Sequence, residues 1–87
     1  MSYWAAVAAI EAAAISSNAY RTARRLLDLA AESGQCKISK FGLMELCAIR
    51  ADGTMRRQLG ELQAAGLIHF STNEAIHISF VAYPTAD

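Results

Sequence analysis

The spacing of apolar residues changes once along this chain, at Gly66, and that change fixes its class of fold. Before it, Met55, Leu59 and Leu62 recur at intervals of four and three, which gathers them on one face of a helix. After it, in LIHFSTNEAIHISF, Ile68 and Phe70 alternate with His69, while Ile76, Ile78 and Phe80 alternate with His77 and Ser79. That is the period of strands with one buried face, and two such runs make a hairpin. Pairing 70 with 76 and 68 with 78 keeps both apolar sets on one side and leaves Thr72-Asn73-Glu74 as the loop. The same register sets His69 opposite His77. Pro84 ends the hairpin, and Thr85 to Asp87 are expected to fray.

Upstream, the pattern reads as helices broken by caps. Ser2 is placed to cap an alanine-rich helix, YWAAVAAIEAAA, with Trp4, Val7, Ile10 and Ala14 as its apolar stripe. Ile15-Ser16-Ser17-Asn18 is a break and a fresh cap. The helix that follows from Asn18 turns Tyr20, Ala23, Leu26, Leu27 and Ala30 inward and is stopped by Gly34. Cys36-Lys37-Ile38 is long enough for one small strand. Ser39 caps a third helix, KFGLMELCAI, with Leu43, Leu46 and Cys47 inside, and Asp52 is expected to cap the fourth, which Gly66 ends.

Eighty-seven residues hold one core, and 54% of them are hydrophobic, many of them alanines that bury little area. The mean hydropathy of +0.21 is high for so short a chain, so surplus apolar surface is expected to be covered by a partner, such as a second copy. Residues 1–15 form the element suited to that role, 16–82 the main domain, and 83–87 a tail. The longest apolar stretch, Tyr3 to Ile15, is too short to span a membrane, carries Glu11, and has no basic segment before it. Cys36 and Cys47 have neither a CxxC nor a metal-type spacing, which reads as reduced thiols in a cytoplasmic protein.

The net charge is zero, yet all eight cations (Arg21, Arg24, Arg25, Lys37, Lys40, Arg50, Arg56 and Arg57) lie between positions 21 and 57. That window contains only Asp28, Glu32, Glu45 and Asp52 as acids, so it carries a formal +4. A neutral total therefore conceals a basic segment of the kind that contacts phosphate.

The stretch from Ile38 to Phe70 resembles the prokaryotic winged helix-turn-helix proteins, in which a support helix with paired leucines precedes a TxRRxLxxLxxxGLI recognition helix and wing. The matching residues are Thr54, Arg56, Arg57, Leu59, Leu62, Gly66, Leu67 and Ile68, and the likeness extends over about residues 18–81. The turn Ile49 to Gly53 is one residue longer than that pattern. The resemblance implies a mainly α fold with a small β hairpin: a three-helix core, a wing and an extra N-terminal helix of the kind such regulators use for dimer contacts. It implies duplex DNA as partner, and a role as a transcriptional regulator or a phage or plasmid replication accessory.

The chemistry of the fourth helix agrees with this. With Met55, Leu59 and Leu62 inward, its outer face presents Gly53, Arg57, Gly60 and Ala64, flanked by Thr54, Arg56 and Glu61. Thr54 and the free N–H groups of the first turn suit a phosphate. Arg57 suits guanine O6 and N7, and Arg56 a base or the backbone. Gly53 permits close approach, Lys40 and Arg50 add positive charge near the caps, and Glu61 must point away. The alternative for Arg56 and Arg57 is a solvated face with Asp52 and Glu61 as local partners. Arg25 is spaced to pair with Asp28. The wing loop has no lysine or arginine, so its contribution is expected to be small.

Catalysis finds no support, since GxSxG, HExxH, Walker and GxGxxG sequences are all missing, and neither a cofactor nor a metal site is expected. Two uses of the fold remain. One is DNA binding as a dimer through the first helix, with half-sites about 34 Å apart. The other is a protein interaction module without nucleic acid, suggested by the zero net charge, the uncharged wing and the apolar first helix.

Overall fold

The computed structural model describes residues 2–83, so the expectations for Pro84 to Asp87 lie outside it. The chain forms α1 (Ser2–Ala12), α2 (Ser17–Leu29), β1 (Gln35–Ile38), α3 (Lys40–Leu46), α4 (Asp52–Ala64), β2 (Ile68–Thr72) and β3 (Ile76–Phe80). The strands make one antiparallel sheet in the order β1-β3-β2. Among the described residues the fold is thus a mixed α/β one, four helices and a three-stranded sheet. The hairpin gains its third strand from the Cys36 region.

A single apolar cluster joins every layer. Leu26 and Leu27 from α2, Leu43 from α3, Met55, Leu59 and Leu62 from α4, and Ile68, Ile76, Ile78 and Phe80 from the sheet are all buried. Each such side chain contributes about 1.5–3 kcal/mol through removal from water. The inward stripe of α4 is the one its spacing predicts, so the rotation of that helix follows from sequence.

The first helix differs from expectation. Ala6, Val7 and Ile10 are buried, while Trp4 is 63% exposed and Ala14 lies beyond the helix end. Alanines fit either face and so define the stripe poorly. A polar contact decides between them: the Tyr3 hydroxyl donates to Asp28 on α2 at 2.9 Å, and Trp4 then stands outside, edge-on to Tyr3. Asp28 is thereby taken from Arg25, which instead donates to the Leu46 carbonyl at 3.0 Å, at the end of α3.

Caps account for most boundaries. Ser16 rather than Asn18 caps α2, accepting from the Ala19 N–H at 3.2 Å, and Ser39 caps α3, accepting from Gly42 at 3.0 Å. The third helix is shorter than its apolar run suggests. It closes with Ile49 N–H donating to Met44 at 2.8 Å, and Ala48 takes a left-handed φ of 55°. The same closure ends α4, where Leu67 N–H donates to Leu62 at 3.1 Å and Gly66 has φ 78°. Asp52 is not the cap of α4. Ala51 occupies that position without a side-chain bond, and Asp52 is the first helical residue.

The hairpin register is displaced by two from the expected one: Ile68 faces Phe80, Phe70 faces Ile78, and Thr72 faces Ile76. A slip of two leaves every side chain on its original face, so alternation alone does not choose. The end of α4 chooses. The expected register would set Phe80 against Gly66, which the helix closure holds in a left-handed turn, so β2 starts at Ile68 and Val81 N–H donates to Leu67 at 3.0 Å. As a result His69 lies opposite Ser79, and His77 lies between Lys37 and Ser71, so the two imidazoles do not face each other.

Candidate nucleic-acid interface

Three segments converge near the start of α4: the beginning of α3, the first two turns of α4, and the β2–β3 loop. Lys40 opens α3, immediately after its Ser39 cap. Asp52 opens α4 and takes both neighbouring cations: Arg56 Nε lies 3.0 Å from its Oδ2, and Lys40 Nζ lies 3.6 Å from its Oδ1. Oδ1 is itself shielded from solvent and accepts no hydrogen bond among the described residues. All three side chains are substantially exposed, so these pairs contribute at most about 1 kcal/mol each to stability. Next to them is a cleft of about 200 Å³, with Met55 and Ile76 as apolar lining and Lys40, Arg56, Thr72, Asn73 and Glu74 as polar lining.

The pairing of Arg56 uses only Nε. Neither of its terminal Nη atoms has a hydrogen bond among the described residues. Arg57 and Arg50 are exposed and carry no ion pair or hydrogen bond among those residues. Gly53 is exposed and Thr54 half-buried. A Cβ added at Gly53 or Gly60 would meet nothing within 4 Å. The helix cost of Gly60, about 1 kcal/mol relative to alanine, is therefore not recovered by packing inside this chain. The outer face of α4 is smooth and open.

Lys40 and Arg56 are thus brought together, through Asp52, while Gly53, Thr54 and Arg57 occupy the same end of α4. Arg50 stands in the connection just before that helix. The N–H groups of the first turn receive no side-chain cap, which leaves them available to an anion. Glu61, whose charge opposes phosphate, is turned to the start of α2. There its carboxylate accepts from the Ser16 N–H at 2.6 Å and the Ser16 hydroxyl at 3.1 Å, at the positive end of that helix.

The other cations are used differently. Arg24 donates to the Tyr20 hydroxyl at 3.3 Å, a bond that raises its already high pKa, and Arg25 is committed to the end of α3. Arg21 and Lys37 are exposed. Burial pushes the thiols of Cys36 and Cys47 above their usual pKa, which works against thiolate chemistry at either.

Sequence spacing reveals the Asp52–Arg56 pair, one turn apart, but not Lys40 as its third member or Ser16 as the partner of Glu61. A buried bond from the Thr22 hydroxyl to Gln58 Oε1, 2.6 Å long, was equally silent in the sequence. No protein-family model, curated protein or solved structure matches this chain, so the resemblance rests on the residues quoted for it.

Proposed function

We propose that this chain is a winged helix-turn-helix protein that binds duplex DNA, with α3 as support helix, α4 as recognition helix and β2–β3 as wing. Its role is that of a small transcriptional regulator or replication accessory acting in the cytoplasm. The observation that carries the reading is the outer face of α4, where Gly53 and Gly60 leave open space around an unpaired, exposed Arg57. The order of helices and strands and the β1-β3-β2 sheet support the same reading.

In this reading the uncapped start of α4, with Thr54, receives a phosphate. Arg57 meets a base edge in the major groove, and Lys40 and Arg50 hold the backbone on either side. Trp4, exposed on α1, marks the face through which two copies would pair. No helix among the described residues is long and apolar enough to cross a membrane.

The test is binding to random duplex fragments at low salt, followed by a salt titration. The logarithm of affinity should fall with the logarithm of salt by about 0.9 per phosphate neutralised. Arg57→Ala should weaken a selected site by about 1–3 kcal/mol. A slope near zero refutes the proposal. Phe41, 78% exposed at the start of α3, favours the second reading, a protein interaction module. A partner retained from nuclease-treated lysate, with no shift of DNA, would select it.

A further inference from the structure

Resting on the DNA-binding reading, we infer that Asp52 is a positioning residue that aims Arg56 at a guanine. The Asp52 carboxylate holds the guanidinium through Nε at 3.0 Å and leaves the other edge of the group uncommitted. Both Nη atoms stay without a partner among the described residues, and that pair of parallel donors is the one that matches guanine O6 and N7. A free arginine must lose rotamer freedom when it reads a base, and one tethered at Nε has already lost part of it. The tether spans one helical turn, from the first residue of α4 to Arg56, so it keeps the guanidinium at the end of the helix that enters a groove.

The same carboxylate acts on Lys40 in the opposite sense. At 3.6 Å it neutralises the ammonium that flanks the cleft, and so weakens contact with any phosphate regardless of sequence. Asp52 therefore raises base preference and lowers non-specific affinity. One substitution separates these effects from loss of fold, because a structural defect lowers both.

The experiment selects duplexes from a random library with the whole chain, using wild type, Arg56→Ala, Asp52→Ala and Asp52→Asn, each checked for folding by thermal melting. Wild type should enrich a guanine preferred over other bases by about 5- to 150-fold, and Arg56→Ala should lose it. Asp52→Ala should lose the preference at that same position, while binding random duplex more tightly and with a salt slope steeper by about 0.9. Asp52→Asn retains an oxygen acceptor for Nε and should restore the guanine preference while keeping the higher non-specific affinity. A wild-type guanine preference that persists in Asp52→Ala overturns the inference and leaves DNA binding intact. Failure of wild type to bind duplex at all overturns the reading beneath it.

Discussion

Removing the hydroxyl of Thr22 should cost more than its size suggests, and removing its partner as well should repair much of the damage. Thr22 and Gln58 are 2% and 8% exposed, on helices α2 and α4, and the hydroxyl donates to Gln58 Oε1 at 2.6 Å. Thr22→Val keeps the shape and deletes the donor. Gln58 Oε1 is then left buried without a partner, a loss of about 1–3 kcal/mol. Gln58→Met is milder, about 0.5–1.5 kcal/mol, because the threonine hydroxyl can turn to a carbonyl of its own preceding turn. The double variant, with both polar groups gone, should lie close to wild type, so the coupling energy should exceed about 1 kcal/mol. Urea unfolding followed by circular dichroism measures all four proteins; Trp4 is too exposed to report on the core. For a domain of this size each kcal/mol should also move Tm by about 4–8 °C. A Thr22→Val protein within 0.5 kcal/mol of wild type, or strictly additive single effects, would refute the reasoning. The bond lies on the same inward face of α4 as Met55, Leu59 and Leu62, opposite the exposed Arg57.

Two further predictions concern helix ends. Ala48 carries the left-handed conformation that Gly66 takes in the same closure of α4. Ala48→Gly relieves a strain of about 1–2 kcal/mol and adds about 0.5–1 kcal/mol of unfolded-state entropy, so a net gain near 0.5–1 kcal/mol is expected in urea unfolding. A loss of stability there would contradict the closure described. Ala51 is an extended cap residue with no side-chain bond, and Ala51→Ser should stabilise the fold by about 1 kcal/mol by accepting from the first turn of α4. Because that hydroxyl occupies N–H groups assigned to phosphate, DNA affinity measured by titration should fall while Tm rises; a rise in both would count against phosphate at this end.

How much of the fold was legible depends on how decisively each residue type chooses a face. The leucines and methionine of α4 choose strongly, and their spacing alone locates the helix, its inward stripe and the outward arginines. The serines before α2 and α3 and Gly66 after α4 located those ends, because caps and left-handed turns are local chemistry. The second helix instead stops at Leu29, with Ala30 as its C-cap, and the left-handed Gly34 lies four residues past that cap, at the end of the turn that follows. In α1 the alanines choose weakly, and a hydroxyl–carboxylate contact between Tyr3 and Asp28 decided which aromatic stayed outside.

Tertiary structure alone settled what depends on residues far apart in the chain. Alternation is blind to a slip of two, so the hairpin register waited on the turn that ends α4. Charge spacing showed Asp52 beside Arg56, but only the fold carried Lys40 to the same carboxylate and drew Glu61 away to Ser16. Local sequence fixes which way a side chain faces where the apolar residues are large, as in α4; which neighbour it meets there is fixed by how the elements pack, and the charge left over for a partner follows from that.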